Sequence, residues 1–98
     1  MNEVIIIMED FSFHPEWLQD ENGYTVSLNE INIIGYGSTR KEAAEVLTTA
    51  AMEYAVLYFS KLDFYRSEAV NRGSHFPYLN RIARCTNDIS KVMKILGV

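Results

Sequence analysis

Few residues in this chain could do chemistry, and their spacing decides how much. Gly35-Tyr36-Gly37 follows an apolar run and precedes a helical pattern, the place where a phosphate-cradling loop would stand. A dinucleotide fingerprint also needs a third glycine, a βαβ unit and an acid beyond the second strand. Here position 40 is Arg, and no second parallel strand is expected after the helix. A phosphate loop with Gly-Lys-Ser/Thr is absent as well. His14 and His75 are the two histidines, and neither has another ligand at helical or hairpin spacing. His75 and Cys85 could form a nucleophile pair only across a predicted helix start. Cys85 reads as a small apolar residue. Glu9-Asp10 and Asp20-Glu21 would need a cleft to act as a hydrolase pair, and they read as solvated turns or strand ends. No enzyme signature, cofactor site or metal site emerges, so a non-enzymatic protein is expected.

A local explanation serves the glycine segment better. Thr39 and Glu42 fit a capping box, in which the Thr hydroxyl accepts from the Glu42 amide and the carboxylate returns to the Thr39 amide. Gly35 and Gly37 would then let the chain turn sharply out of a strand.

The elements that position these residues follow from hydrophobic period. Val4 to Phe11 is β-branched and short, which predicts a strand. Asp20 to Gly23 predicts a tight hairpin with Asn22-Gly23 in left-handed positions. Tyr24 to Leu28 alternates as a half-buried strand, Asn29-Glu30 is a second turn, and Ile31 to Ile34 is a third strand. From Thr39 the apolar residues Ala43, Val46, Leu47, Ala50, Tyr54, Leu57 and Tyr58 recur in steps of three and four, one face of a long helix. Arg40, Glu45, Thr48, Thr49 and Glu53 would form its outer face. Gly73 breaks the pattern, Pro77 suits the start of a helix to about Cys85, and Thr86 or Asn87 would cap a last helix ending near Gly97. The expected fold class is α+β: a three-stranded antiparallel sheet packed on one long helix, then two short C-terminal helices. A single domain over 1–98 is expected, with a β-meander over 1–35, the long helix over 39–62 and the C-terminal helices over 77–96.

Ninety-eight residues, 48% apolar and 22% charged, suit one folded domain. The N-terminus lacks the basic residues of a signal peptide, no apolar stretch is long enough to span a membrane, and the one cysteine forms no internal disulfide. A reduced, cytoplasmic protein is expected. The net charge of −4 is unevenly spread. Residues 1–60 hold ten acids against two bases, a balance of −8, and residues 61–98 hold seven bases against three acids, a balance of +4. This is either complementarity within the domain or an acidic face for a basic partner. The acidic half would repel nucleic acid, so direct nucleic-acid binding is not expected.

The aromatics Tyr54, Tyr58, Phe59, Phe64, Tyr65, Phe76 and Tyr78 cluster along and beyond the long helix. Either the C-terminal helices cover them or some form an interface. Surplus apolar residues on the long helix also predict a homo-oligomer.

"GYTVSLNEINIIGYGSTRKEAAEVL", "EYAVLYF" and "NRGSHFPYLNRIARC" together resemble a family of small bacterial antitoxins of type II toxin–antitoxin systems, RelB-type partners of RelE-like toxins. The Gly23-Tyr24 hairpin and the helix start at Ser38-Thr39 also resemble the HicB antitoxin domain. The resemblance spans about residues 20–96 and implies a non-enzymatic module that neutralises a basic, RNA-cleaving toxin. HicB proteins usually continue into a DNA-binding element, for which no segment is visible here. The partner-binding candidates are Glu45, Glu53, Tyr65, Arg72, His75 and Tyr78. The structural candidates are Gly35, Gly37, Thr39, Glu42, Asn71 and Pro77, with Asn71, Arg72 and His75 fixing the crossing of the long helix and the C-terminal helices. The competing expectation is a free-standing homodimeric regulatory or ligand-binding domain without a toxin partner.

Overall fold

The computed structural model describes residues 11–85 and 87–98. The strand expected from Val4 lies outside them, except for Phe11. Three strands, β1 (Glu16–Asp20), β2 (Gly23–Leu28) and β3 (Ile33–Gly37), form an antiparallel sheet in the order β1-β2-β3. Among the described residues four helices follow: α1 (Arg40–Ser60), α2 (Leu62–Arg66), α3 (Phe76–Ala83) and α4 (Ile89–Leu96). A 3-10 turn, Gly73–His75, leads into α3. The α+β class, the small sheet and the long helix are as expected. No helix of the described residues is long and apolar enough to cross a membrane.

The sheet departs from expectation at its start. Glu16–Asp20, read only as a passage beyond Pro15, is β1. Trp17 pairs with Val26, and Asp20 pairs with Gly23. The hairpin loop is therefore Glu21-Asn22. Only Gly23 takes a positive φ there, and the Asp20 carboxylate closes the turn by accepting from the Asn22 and Gly23 amides at 2.8 and 3.2 Å. The third strand begins two residues late. Asn32 adopts φ 55°, a left-handed conformation Asn tolerates, and so extends the turn and leaves buried Ile31 to plug the core.

The glycines also have a different role. Gly35 and Gly37 do not turn the chain; they lie within β3, opposite Val26 and Tyr24. Both face α1. A Cβ on Gly35 would lie 2.5 Å from the Ala43 carbonyl oxygen and 2.7 Å from the Leu47 amide, and one on Gly37 would strike the Ala43 backbone nitrogen. Glycine is required because strand and helix touch backbone to backbone.

α1 begins as predicted. Thr39 is extended, and its hydroxyl accepts from the Glu42 amide at 3.1 Å. The reciprocal half differs: the Glu42 carboxylate accepts from the Ser38 hydroxyl at 3.0 Å. The buried arc is rotated from the expected stripe. It holds Ala43, Ala44, Leu47, Thr48, Ala51, Tyr54, Ala55 and Tyr58, while Val46 and Leu57 face solvent. The reason is two-sided packing, because the sheet covers one flank and α3 and α4 cover the other. Thr48, expected outside, is fully buried and satisfies its hydroxyl on the Ala44 carbonyl at 2.7 Å.

α3 contains Pro77 in its first turn, after Phe76. The cap of α4 is Asp88, whose carboxylate accepts from the Lys91 amide at 3.2 Å. Of the two expected caps, Thr86 lies outside the described residues and Asn87 cannot serve, since its φ of 62° is far from the extended backbone of a cap. α4 ends at Gly97 with φ 80°. Leu79 and Ile82 of α3 and Val92 and Leu96 of α4 join Val26, Leu28, Leu47 and Tyr58 in one core.

Candidate protein-binding surface

Two constellations contain most of the partner-binding residues singled out in the sequence, and they lie on opposite aspects of α1. The first is buried. The Tyr54 hydroxyl and His75 Nδ1 are hydrogen-bonded at 2.6 Å, and the Tyr58 hydroxyl donates to the Arg72 carbonyl at 2.9 Å. Tyr65 is buried from α2 and stacks on Tyr58 with ring centroids 5.2 Å apart. The Arg72 amide donates to the Tyr65 carbonyl at 2.8 Å, and Asn71, at φ 55°, sets the preceding bend. The segment from Ser67 to His75 is thereby tied to α1 through two tyrosine hydroxyls. Burial, with the Arg72 cation as a second cause, holds His75 below the usual imidazole pKa. Burial likewise raises the pKa of both tyrosines, which keeps them neutral. His75 therefore packs as a neutral hydrogen-bonding ring. Cys85 stands apart, buried, with its thiol donating to the Arg81 carbonyl at 3.4 Å.

Tyr78 belongs to neither constellation. It is half-buried on α3, with its ring 5.7 Å from Phe11 and 5.4 Å from Phe13. Arg81, one turn on, donates to the Phe11 carbonyl at 2.7 Å. Among the described residues no group of three or more His, Cys, Asp or Glu side chains is placed to hold a metal ion.

The second constellation is exposed. Glu45 and Glu53 flank a shallow depression on the outer face of α1, floored by Val46, Thr49 and Ala50. The face continues past Met52 and Val56 towards Ile89 of α4 and Ile82 of α3. Sequence reading placed the two acids but not the apolar floor between them. The signal was present: Val46, Ala50, Glu53 and Leu57 repeat at steps of three and four, like the inner stripe. Counting Val46 and Leu57 into the core concealed a second face.

Of the predicted partner-binding residues, the structure buries Tyr65 and His75 in the knot, and exposed Arg72 joins it through its backbone amide and carbonyl. Glu45 and Glu53 lie on the exposed face, and Tyr78 lies against Phe11 and Phe13.

The arrangement of sheet, long helix and short helices defines a small α+β module shared with a known structure. It is similar to the crystal structure of an antitoxin part of a proposed toxin/antitoxin system from Syntrophomonas wolfei subsp. wolfei, with a TM-score of 0.74 and 22% identity. The match covers 88% of this chain, which spans 61% of the length of that relative. Residues 2–97 match the family described as antitoxin of toxin-antitoxin, RelE / RelB, TA system, and the chain belongs to that family. No curated protein matches it.

Proposed function

We propose that this antitoxin neutralises a basic, RNA-cleaving toxin by forming a non-catalytic complex in the cytoplasm. The observation that carries the reading is the charge of the sheet and α1 half. Residues 1–60 have a balance of −8, and Glu45 and Glu53 stand exposed beside apolar floor on α1. An RNase must grip a polyanion and is therefore cationic where it binds RNA. An acidic surface steers encounter with such a partner. Self-association belongs to the same reading, because Leu18, Ile34 and Tyr36 are exposed on the outer face of the sheet. Light scattering at high micromolar concentration tests that part.

The test of function is co-expression with the product of the adjacent gene, pull-down, and measurement of RNA cleavage in the complex. Raising salt from about 0.05 to 0.5 M shortens the screening length from roughly 14 to 4 Å. The association rate should then fall about tenfold or more while dissociation changes little. Glu45→Lys with Glu53→Lys should slow association without unfolding the chain. A toxin captured at a rate indifferent to salt and to both substitutions would remove the electrostatic part of the reading.

A further inference from the structure

α1 is apolar on two arcs, and the fold uses only one. The outer arc exposes Val46, Val56 and Leu57 by 45, 68 and 44%, and Ile89 adds 44% from the start of α4. An exposed apolar arc of this kind, flanked by charged residues, is a surface a partner can cover.

Three depressions join along this arc. One lies over Val46 and Ala50 between the two acids; the next runs from Thr49 and Glu53 past Val56 to Ile89. The third, about 200 Å³, descends between α1 and α3 over Val56, Phe59 and Ile82. Neighbouring depressions share lining residues: Glu53 joins the first two, and Met52 and Val56 join the last two. From Val46 to Phe59 the groove runs roughly 20 Å at 1.5 Å per residue, the length of three to four helical turns.

The charged residues that line it, Glu45 and Glu53, are both acids. Glu45 and Glu53 stand along α1, and exposed Asp88 caps α4 between Asn87 and Ile89 at the groove mouth. Among the described residues no lysine or arginine lines any of the three depressions. An apolar floor with an acidic rim fits an amphipathic helix with a cationic border. Nucleic acid is disfavoured by the rim. A second copy is disfavoured by symmetry, because a two-fold contact would set acidic rim against acidic rim.

We propose that this groove seats the apolar face of a cationic amphipathic helix, three to four turns long, supplied by the toxin. The donor rests on the antitoxin reading; the ligand class rests on the groove. The apolar floor holds the helix, and the acids steer it in.

The test uses a labelled 18-residue Leu/Lys amphipathic peptide and its Leu/Glu counterpart, titrated against the full chain by fluorescence anisotropy. Val56→Asp and Ile89→Asp each put a carboxylate into the floor at an exposed site, and the second lies in the first turn of α4, where an acid is tolerated. Leu18→Asp adds the same charge on the outer sheet face. The Leu/Lys peptide should bind and the Leu/Glu peptide should not. Each floor variant should weaken binding about tenfold despite its added acid, as loss of one aliphatic contact implies, while Leu18→Asp should not weaken it. Peptide binding unchanged or tightened by both floor variants means charge alone attracts it, and overturns the proposal. Dissociation of a dimer by Val56→Asp, with peptide binding unchanged, assigns the groove to a second copy and also overturns it. With the toxin from the adjacent gene, Val56→Asp should raise the dissociation rate about tenfold. A tight complex with an unchanged dissociation rate overturns the groove as the toxin's seat but keeps the antitoxin reading. An adjacent gene product that never binds, beside a peptide that behaves as expected, overturns the toxin as donor and the neutralisation reading with it.

Discussion

The two halves of α1 are held by opposite means. Its N-terminal half lies on β3 through Gly35 and Gly37, so that strand backbone meets the backbone at Ala43. Its C-terminal half is held by rings, with Tyr54, Tyr58 and Tyr65 packed together and two hydroxyls bonded to His75 and to the Arg72 carbonyl. The first contact is made by backbone and Cβ atoms of Glu42, Ala43 and Leu47 and leaves no space for a methyl. The second tolerates water-sized irregularity poorly for another reason, since each buried polar atom needs its partner. The sheet junction should therefore fail by steric insertion, and the tyrosine junction by loss of a hydrogen bond or by a proton.

The largest expected effect is at the sheet. Gly35→Ala forces a methyl against the α1 backbone, which cannot give way as a side-chain tip would. It should cost about 3 kcal/mol, the upper range for overpacking, read as a lowered urea midpoint with an unchanged slope. At the other junction, Tyr54→Phe keeps the ring contacts and strips the partner from buried His75. About 1–2 kcal/mol should be lost. A larger loss from Tyr54→Phe than from Gly35→Ala would reverse the comparison.

Thr39→Ala removes the cap of α1 without touching either junction and should cost about 1 kcal/mol. A melting curve unchanged within error would show that Ser38 and Glu42 hold the helix start without it.

Acid separates the halves further. His75 has a lowered pKa in the folded chain, so the unfolded chain binds the proton more readily. Its contribution is complete above the unfolded value of about 6.5 and is lost as pH falls from there through the folded value. His75→Asn should flatten the fall in melting temperature between about pH 7.5 and pH 5. The smallest effect is that of Arg72→Ala. The backbone carbonyl still accepts from Tyr58, but the cation that opposes His75 protonation is gone. The chain should melt almost as before at neutral pH and lose less stability in acid. An acid limb identical to the parent's would show that desolvation alone sets the His75 pKa.

How much was legible in advance differs along the chain. Tyr24 to Leu28, the Thr39 cap and the long helix were readable because each rests on local terms: period-two alternation, a cap hydroxyl three residues before its amide, and a period near 3.6. β1 was missed because Glu16-Trp17-Leu18-Gln19-Asp20 is mostly exposed and has too little apolar alternation to announce a strand. The α1 buried arc was misplaced at Val46, Thr48 and Leu57 because the sequence contains two apolar arcs and no term that ranks them.

The sequence by itself determined the second strand, the long helix with its Thr39 cap, the turn at Asp20 to Gly23, and the acidic bias of the first sixty residues. These depend on neighbours within a few positions or on composition. Only the tertiary structure decided that Gly35 and Gly37 are contact surfaces and that His75 meets Tyr54 across twenty-one positions. The same holds for Val56, which stands outward beside Ile89. Such facts depend on which elements flank α1 and at what distance. No local propensity encodes them, because packing is set by the sum of all the surfaces that must be buried at once.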